Sequence, residues 1–229
     1  MSTGDRQGRW TLPPLAAGQR LDQPAFHARY EAMPPGTRAE LIGGVVYMPS
    51  PLRDDHGWTS HVVSGWLFHY ERFTPGVRGA DNATTKLGRS GEPQPDSLLR
   101  IPEGAGGRSR VVVGFIVGTP ELVVEVARSS RDVDLGPKRL DYERAGVLEH
   151  LFIGLDPNEV RWLALRGDRF EELPPGPDGL VRSEVFPGLW LDPAALFAGD
   201  LNALIDALER GLATPDHAAF VARLAGAGR

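Results

Sequence analysis

The sequence predicts a mixed α/β fold in which helices flank a mixed β-sheet. A strand–helix–strand unit at residues 122–155 favours parallel pairing through a right-handed crossover. Short apolar segments on either side of Gly-containing turns at 43–44 and 167–168 favour antiparallel hairpins. The 28 glycines and 20 prolines among 229 residues indicate many turns rather than a helical bundle. Parallel and antiparallel pairs in one chain are best accommodated in a mixed sheet.

In the first half of the chain, apolar spacing and turn residues define the elements. Three-to-four spacing of apolar residues predicts helices, and continuous or alternating apolar runs predict strands. In chain order, the predicted elements are a helix from Asp22 to Met33, strands Ala39 to Ile42 and Val45 to Met48, a helix from Trp58 to Phe73 with Asp54 or Asp55 as cap, a strand from Val77 to Leu87, a short strand opened by Asp96, and a mobile Gly-rich loop at residues 102–110.

In the second half, a long apolar strand is followed by a helix and a second apolar strand. In chain order, the predicted elements are a strand from Leu122 to Ala127, a helix from Asp134, as a possible cap, to Gly146, a strand from Leu148 to Leu155, a hairpin of Val160 to Leu165 with Arg169 to Leu173, a helix from Pro193 to Leu212 and a possible short closing helix. We therefore divide the chain into a loosely held arm (1–20), one domain (21–212) and a C-terminal tail (213–229).

The composition excludes several classes of protein. Without cysteine the chain has neither a disulfide framework nor a thiolate metal site. No signal segment and no membrane-length apolar run is evident, which predicts a cytoplasmic protein without membrane contact. A net charge of −5 argues against a generally basic protein that coats nucleic acid. It does not exclude a metal-dependent enzyme, because such a site itself requires carboxylates.

One glutamate interrupts the longest aliphatic strand. In ELVVEVARSS (121–130), Glu125 lies between valines of a run that is typical of a strand buried on both faces. Removing an ionised carboxylate from water costs several kcal/mol, roughly, unless a cation, a metal or hydrogen-bond donors replace the water. Glu125 therefore needs a partner from elsewhere in the chain.

The candidate partners are Lys138 and a metal ion that Glu125 would share with Asp96. Asp96 opens a strand-like segment after Pro95, and Lys138 shares a helical stripe with Leu135, Tyr142 and Ala145, although Leu140 does not fit that stripe. Two carboxylates and a lysine that converge at strand ends can hydrolyse a phosphodiester: hard oxygen ligands suit Mg²⁺ or Mn²⁺, and a lysine can orient the attacking water or offset transition-state charge.

Three segments resemble the Uma2 (DUF820) family of restriction-endonuclease-like proteins. They are RAELIGGVVYMPSPLRDDHG, QPD at 94–96, and ELVVEVARSSRDVDLGPKRLDYERAGVLEHLFIGLD; FPGLWLDPAALF at 186–197 resembles the C-terminal ending of that family. The resemblance spans roughly residues 22–206. It implies a PD-(D/E)XK nuclease fold, that is, a restriction-endonuclease-like mixed sheet flanked by helices.

The resemblance also implies roles for individual residues. Asp96 corresponds to the PD aspartate and Glu125 to the acidic residue of the (D/E)XK element. The lysine position of that element is Ala127 here, and the resemblance implies that Lys138, on the following helix, replaces it. Glu40 matches the acidic residue of the family's ELIDG segment and would complete the metal site; Gly43 stands where that segment usually has aspartate.

Each of these residues also has a purely structural interpretation. Glu125 could be a buried acid bonded to backbone N–H groups or an arginine, and Asp96 could only form a turn after Pro95. Lys138 could be a solvated helix lysine, and Glu40 an edge-strand charge. His56, near a predicted helix start, is a less favoured candidate for a contact to substrate phosphate.

The leading prediction is a Mg²⁺- or Mn²⁺-dependent endonuclease acting on DNA. Its expected metal ligands are Asp96, Glu125 and Glu40, and Lys138 is its expected catalytic lysine. The alternatives are an inactive nucleic-acid- or protein-binding module that keeps the nuclease fold, and hydrolysis of another substrate on the same scaffold. An enzyme that cuts both strands of a duplex is expected to be a homodimer.

Overall fold

The structure is a computed structural model that describes residues 12–49 and 53–227. Its strands are β1 Glu40–Ile42, β2 Val45–Tyr47, β3 Arg78–Asp81, β4 Thr85–Lys86, β5 Ser97–Arg100, β6 Ser109–Val112, β7 Phe115–Gly118, β8 Leu122–Ala127, β9 Glu149–Leu155, β10 Asn158–Arg166, β11 Arg169–Glu172, β12 Val181–Arg182 and β13 Trp190–Leu191. Its helices are α1 Gln23–Glu31, α2 Asp54–Phe73, α3 Arg131–Val133, α4 Arg139–Ala145, α5 Pro193–Ala198, α6 Leu201–Leu212 and α7 Pro215–Ala227.

A mixed six-stranded sheet forms the centre of the fold. Its strand order is β11-β10-β9-β8-β5-β3, in which β8 and β9 are parallel and the other neighbours are antiparallel. The smaller sheet β4-β7-β6 and the hairpin β1–β2 lie beside it. Helices flank this mixed sheet, as predicted.

Strand β8 lies in the middle of the sheet and has a core on each face. Successive side chains of a strand point to opposite faces. Val124 and Val126 belong to a large core that includes Trp66 of α2, whereas Val123 belongs to a second core that includes Tyr142 of α4. Glu125 has the same parity as Val123, and this places its carboxylate on the Tyr142 side of the sheet.

Several predicted elements agree with the structure to within a few residues. The agreement covers α1, the hairpin β1–β2, strands β8 and β9, and the hairpin β10–β11. The β1–β2 turn depends on glycine, because Gly43 and Gly44 have φ values of 59° and 74°. Among the described residues, no helix is both long and apolar enough to cross a bilayer.

Between residues 77 and 118 the short strand opened by Asp96 was predicted correctly, as β5, but the elements on either side of it were not. The single strand expected at Val77 to Leu87 is two strands, β3 and β4, which belong to different sheets. The loop expected at residues 102–110 contains a 3₁₀ turn, Glu103–Ala105, and the first part of β6. The hairpin β6–β7 was not predicted, since the glycines around it were interpreted as loop signals.

The helices also differ in their boundaries. Helix α2 begins at Asp54, so neither Asp54 nor Asp55 is its cap. The single helix expected at Pro193 to Leu212 is divided at Gly199, which has a φ of 70°. The closing helix α7 has 13 residues.

The helix expected to begin at Asp134 instead begins at Arg131. Asp134 is not its cap, because it lies within a π-helical turn, Asp134–Lys138, that joins α3 to α4. Gly136 in this turn has a non-helical backbone, and the following Pro137 cannot donate a backbone hydrogen bond.

Part of the expected N-terminal arm is packed against the domain. The backbone N–H of Gly18 donates to Val46 and that of Val46 to Gln19, while the Leu15 side chain is buried. Residues 1–11 of the arm lie outside the described residues. The division into arm, domain and tail otherwise stays a prediction.

Candidate active site

A pocket of about 610 Å³ opens beyond the carboxyl ends of β8 and β9. The four predicted site residues Glu40, Asp96, Glu125 and Lys138 all line it. They come from the start of β1, the entry to β5, the middle of β8 and the turn before α4. The structure therefore brings together residues that are up to 98 positions apart in the sequence.

Sheet register places the two acids of the resemblance side by side. The antiparallel pairing of β5 with β8 sets Ser97 opposite Val124, so Asp96 falls next to Glu125, one position beyond the last paired residues. Opposed residues of neighbouring strands point to the same face. The backbone N–H of Val126 donates to Asp96 Oδ2 over 2.8 Å, which fixes this carboxylate at the strand end.

Lys138 is the partner that Glu125 requires. Its Nζ lies 2.9 Å from Glu125, 3.0 Å from Glu40 Oε1 and 3.8 Å from Asp134 Oδ1. Only 4% of Lys138 and 2% of Glu125 is exposed. Tyr142, one helical turn after Lys138, donates its hydroxyl to Glu125 Oε1 over 2.6 Å. The helical stripe predicted the inward direction of Lys138 correctly.

The buried charges shift one another's proton affinities. Burial raises the pKa of Glu125 well above its usual value; Lys138 opposes this shift, while nearby Asp134, Asp96 and Glu40 add to it. For Lys138, burial favours the neutral amine, but the carboxylates of Glu125, Glu40 and Asp134 outweigh burial and raise its pKa. Lys138 is therefore held as a cation among an excess of carboxylates.

Glu40 connects the N-terminal hairpin to this cluster. Its Oε1 accepts a hydrogen bond of 2.7 Å from the backbone N–H of Gln94, two residues before Asp96. Gly43 lies in the β1–β2 turn and is not among the residues that line the pocket. Gly43, at the position where the resembling segment ELIDG has aspartate, therefore lies outside the pocket lining.

Two pocket residues were missed or undervalued in the sequence. The carboxylate of Asp134 accepts from Ser130 Oγ over 2.6 Å, and burial raises the pKa of Asp134. Its i, i+4 spacing from Lys138 was the available signal. His56 Nε2 lies 3.5 Å from Asp96 Oδ2, and the hydrogen bond with Asp96 raises the pKa of His56 although burial opposes it. No sequence periodicity links His56 to Asp96, so the sequence held no signal for this contact.

The rim of the pocket is basic. Arg38, Arg53 and Arg128 line the pocket, and Arg128 also pairs with Asp55 of α2. Arg38 and Arg53 are exposed to solvent. The pocket thus combines an acidic floor with arginines at its opening, which can contact phosphates.

The donor set fits a divalent cation of the magnesium type. Among the described residues, no three His, Asp or Glu side chains converge closely enough to form a complete protein cage. Mg²⁺ is commonly held by one or two carboxylates, with water and substrate phosphate oxygens completing its shell. The adjacent carboxylates of Asp96 and Glu125 provide such a pair. Glu40 and Glu125 both contact Lys138, and of these two only Glu125 lies next to Asp96 in the sheet.

A comparison with family models decides the family. The model of Uma2, described as "Putative restriction endonuclease", matches residues 25–194. The chain belongs to the Uma2 family. All four predicted site residues lie within the region matched by the Uma2 model, and the resemblance seen in the sequence is confirmed.

A solved structure supports the same fold for this Uma2 protein. It is a protein of Anabaena variabilis ATCC 29413 described as a "putative nuclease belonging to DUF820", with a TM-score of 0.59 and 16% sequence identity. The match covers 75% of this chain and 96% of the other. No curated protein gave a significant match to the chain. Family and fold together indicate a protein of the restriction-endonuclease-like nuclease class.

Proposed function

We propose that this Uma2 protein is a metal-dependent endonuclease that hydrolyses DNA phosphodiester bonds through a PD-(D/E)XK-type site. Asp96 and Glu125 are the proposed ligands of Mg²⁺ or Mn²⁺, and Lys138 is the proposed catalytic lysine. Glu40 supports Lys138 and stays a candidate third ligand. The observation that carries the proposal is the buried Glu125–Lys138 pair, which opens into a pocket beside Asp96.

The residues of the site have distinct tasks in this mechanism. A bound divalent ion would supply Lewis-acid polarisation of the phosphate and a more acidic water. The Val126 N–H and the Tyr142 hydroxyl hold the Asp96 and Glu125 carboxylates in place. Lys138, whose pKa is raised, is suited to donate hydrogen bonds to the attacking water or to a phosphoryl oxygen as negative charge develops.

The position of the lysine supports this assignment. Ala127 occupies the position two residues after the acid, where the parent motif has its lysine, and it is buried. Lys138 brings its ammonium group to the same acid from the turn that follows α3. The cation is therefore present, although the strand does not carry it.

The pocket rim is suited to a polyanionic substrate. Arg38 and Arg53 line the pocket and are exposed, so they can contact phosphates that flank the scissile one, as a DNA strand would provide. Cleavage of both strands of a duplex would be served by a two-fold homodimer, with one site for each strand.

The direct test is cleavage of supercoiled and linear DNA with Mg²⁺, Mn²⁺ or EDTA. We expect cleavage with a divalent ion, and loss of cleavage in Asp96→Asn, Glu125→Gln and Lys138→Met. Glu171→Gln, an exposed change on β11, is the control and should cleave normally. Cleavage that survives in Glu125→Ala would reject the site.

Calorimetry with Mn²⁺ provides a readout that does not depend on turnover. We expect one site in the wild type and weaker binding in Asp96→Asn. A folded protein that binds neither Mn²⁺ nor DNA would contradict the proposal. A protein that binds DNA without metal and without cleavage would instead be an inactive module.

A further inference from the structure

The hairpin β6–β7 ends in an exposed apolar tip. Val111, Val112 and Val113 are 55%, 41% and 89% exposed. Register pairs Val112 with Phe115, so the turn consists of Val113 and Gly114, with φ values of 48° and 83°. Two positive φ values in a two-residue turn are typical of type I′, for which Asn-Gly is the preferred sequence.

Valine is an unfavourable residue at this position for the isolated chain. A β-branched residue with positive φ is a conformational outlier, and its apolar surface here lies in water. Asparagine or glycine would relieve the backbone strain and remove the exposed methyl groups. A contact made by the Val113 side chain with another molecule would explain why an apolar residue occupies the turn.

The hairpin is also basic. Residues 107–120 contain Arg108 and Arg110 but neither aspartate nor glutamate, in a chain with a net charge of −5. Each arginine has an acidic neighbour just outside this stretch: Arg110 lies 3.8 Å from Glu103, and Arg108 lies 3.9 Å from Glu121. Both ion pairs are long and both arginines are exposed, so the pairs constrain the arginines little. Lys86 lies over the Phe115 ring on the neighbouring strand. This charge complements a polyanion.

The hairpin is connected to the side of the molecule where the pocket lies. Strands β4 and β7 are parallel, with Thr85 opposite Ile116. Three residues before Thr85 is Asn82, which lines the pocket and donates its backbone N–H to the Asp96 carbonyl. Three residues before Ile116 is Val113. Because parallel strands start from the same edge of a sheet, the turn points towards the Asn82 edge.

We propose that the tip Val111–Val113 is a second DNA contact, which inserts apolar side chains into a groove of the duplex whose phosphodiester reaches the pocket. This inference rests on the proposed function. A two-stranded ribbon has a width that the major groove accepts, and apolar side chains contact base edges there. A second copy of the chain is a less suitable occupant, because three valines offer far less than the roughly 800 Å² that each partner of a stable dimer buries.

The test separates stability from DNA binding. In Val113→Asn we expect a melting temperature about 2 °C higher, since the turn is relaxed, together with about tenfold weaker binding of a fluorescent 30-base-pair duplex. Binding is measured by anisotropy in Ca²⁺. Phe68→Gln is the matched control: Phe68 is 66% exposed on α2, the helix on the opposite face of the sheet, and its loss should not change binding.

Salt dependence and a single-stranded probe identify the type of contact. Val113→Asn should keep the wild-type dependence of log K on log salt, because no phosphate contact is lost, whereas Arg110→Gln should reduce that slope by about one. For a single strand of the same length, the binding affinity of Val113→Asn should equal that of the wild type. An equal loss on both probes, or unchanged duplex affinity, would overturn the groove contact.

Two further measurements keep this inference distinct from the proposed function. Hydrolysis of thymidine 5′-(4-nitrophenyl phosphate) with Mn²⁺ reports on the site alone and should be equal in wild type and Val113→Asn. If the wild type hydrolyses neither this ester nor DNA, the proposed function fails. If it hydrolyses both and Val113→Asn binds DNA normally, only the hairpin proposal fails. A dimer that becomes monomeric in Val113→Asn by sedimentation would show a protein interface and also overturn it.

Discussion

Glu125 and Glu149 are buried glutamates on the neighbouring parallel strands β8 and β9, and the protein satisfies them in different ways. Glu149 accepts hydrogen bonds from neutral donors at both oxygens: the Trp162 indole, the Ser183 hydroxyl and the backbone N–H groups of Glu184 and Val185. Glu125 faces the pocket and accepts a hydrogen bond from the Tyr142 hydroxyl. It also contacts the Lys138 ammonium group, which Glu40 contacts as well.

The difference separates a structural acid from a candidate catalytic acid. Burial raises the pKa of both glutamates, so burial alone does not distinguish them. The four donors of Glu149 are neutral and fixed, and they lower its pKa against the effect of burial. Around Glu125, three further carboxylates raise the pKa and one lysine lowers it. Such an excess of negative charge suits a bound cation.

The largest expected effect is on turnover. Glu125→Gln should lower kcat for DNA cleavage by about a thousandfold, roughly 4 kcal/mol, because the proposed metal ligand and partner of Lys138 loses its charge. Glu149→Gln should keep wild-type turnover per folded molecule. Initial rates with Mn²⁺, normalised to the folded fraction, check both. Similar losses in the two variants would remove the distinction between the two acids.

The next largest effect is on folding stability, for which we expect Glu149→Gln to cause a greater loss than Glu125→Gln. Glu149→Gln should lower the free energy of unfolding by about 2–3 kcal/mol, because an amide NH₂ then faces N–H and O–H donors and leaves them unsatisfied. Glu125→Gln should lower the free energy of unfolding less, because Lys138 keeps its contacts with Glu40 and Asp134. Urea denaturation of both variants gives the comparison, with Glu171→Gln as the exposed control. A more stable Glu149→Gln than Glu125→Gln would reverse the assignment.

A third prediction concerns pH. The pKa values of Glu125 and Asp134 are raised in the folded state, so their contribution to stability is present at low pH and is lost as pH rises through the raised pKa. Lys138→Met removes the cation that limits these shifts. The melting temperature of the variant, relative to wild type, should therefore fall as the pH rises above the ordinary pKa range of carboxylates. A difference that stays constant as the pH rises would show that the acids are not coupled to Lys138.

The smallest effect should come from Tyr142→Phe. This change removes only the hydroxyl that donates to Glu125 Oε1, and we expect a loss of about 1 kcal/mol in stability. The decrease in kcat should be less than tenfold, since Lys138 still contacts the acid. Thermal denaturation and single-turnover rates measure the two quantities. A loss as large as that in Glu125→Gln would instead assign Tyr142 a direct part in turnover.

The sequence predicted the local features of this site well. The charge of Glu125 within an aliphatic strand indicated a buried partner, and the helical stripe of Lys138 and Tyr142 indicated which face was inward. Both signals depend on residues within one element, where the period of the backbone fixes the direction of side chains. The resemblance to Uma2 added Asp96 and Glu40, which by themselves favoured a turn and an edge strand.

The features that were missed depend on distant pairing. Strand β4 has only two residues and pairs with β7, about 30 positions later, so no local pattern marks it. The contact of His56 with Asp96 joins the first turn of α2 to the entry of β5. The break at Gly136 and Pro137 was also hidden, because the apolar stripe continues across it.

Lys138 reaches Glu125 from a π-helical turn rather than from the strand that carries Glu125. A lysine on β8 itself would have its reach fixed by the geometry of a single strand. Here Glu125 belongs to the sheet and Lys138 to a separate helical segment. Their separation therefore depends on how closely that segment packs against the sheet. Substitutions in the core beneath α4, such as at Val147 or Leu163, can therefore change the distance between Glu125 and Lys138 without altering any group in the pocket.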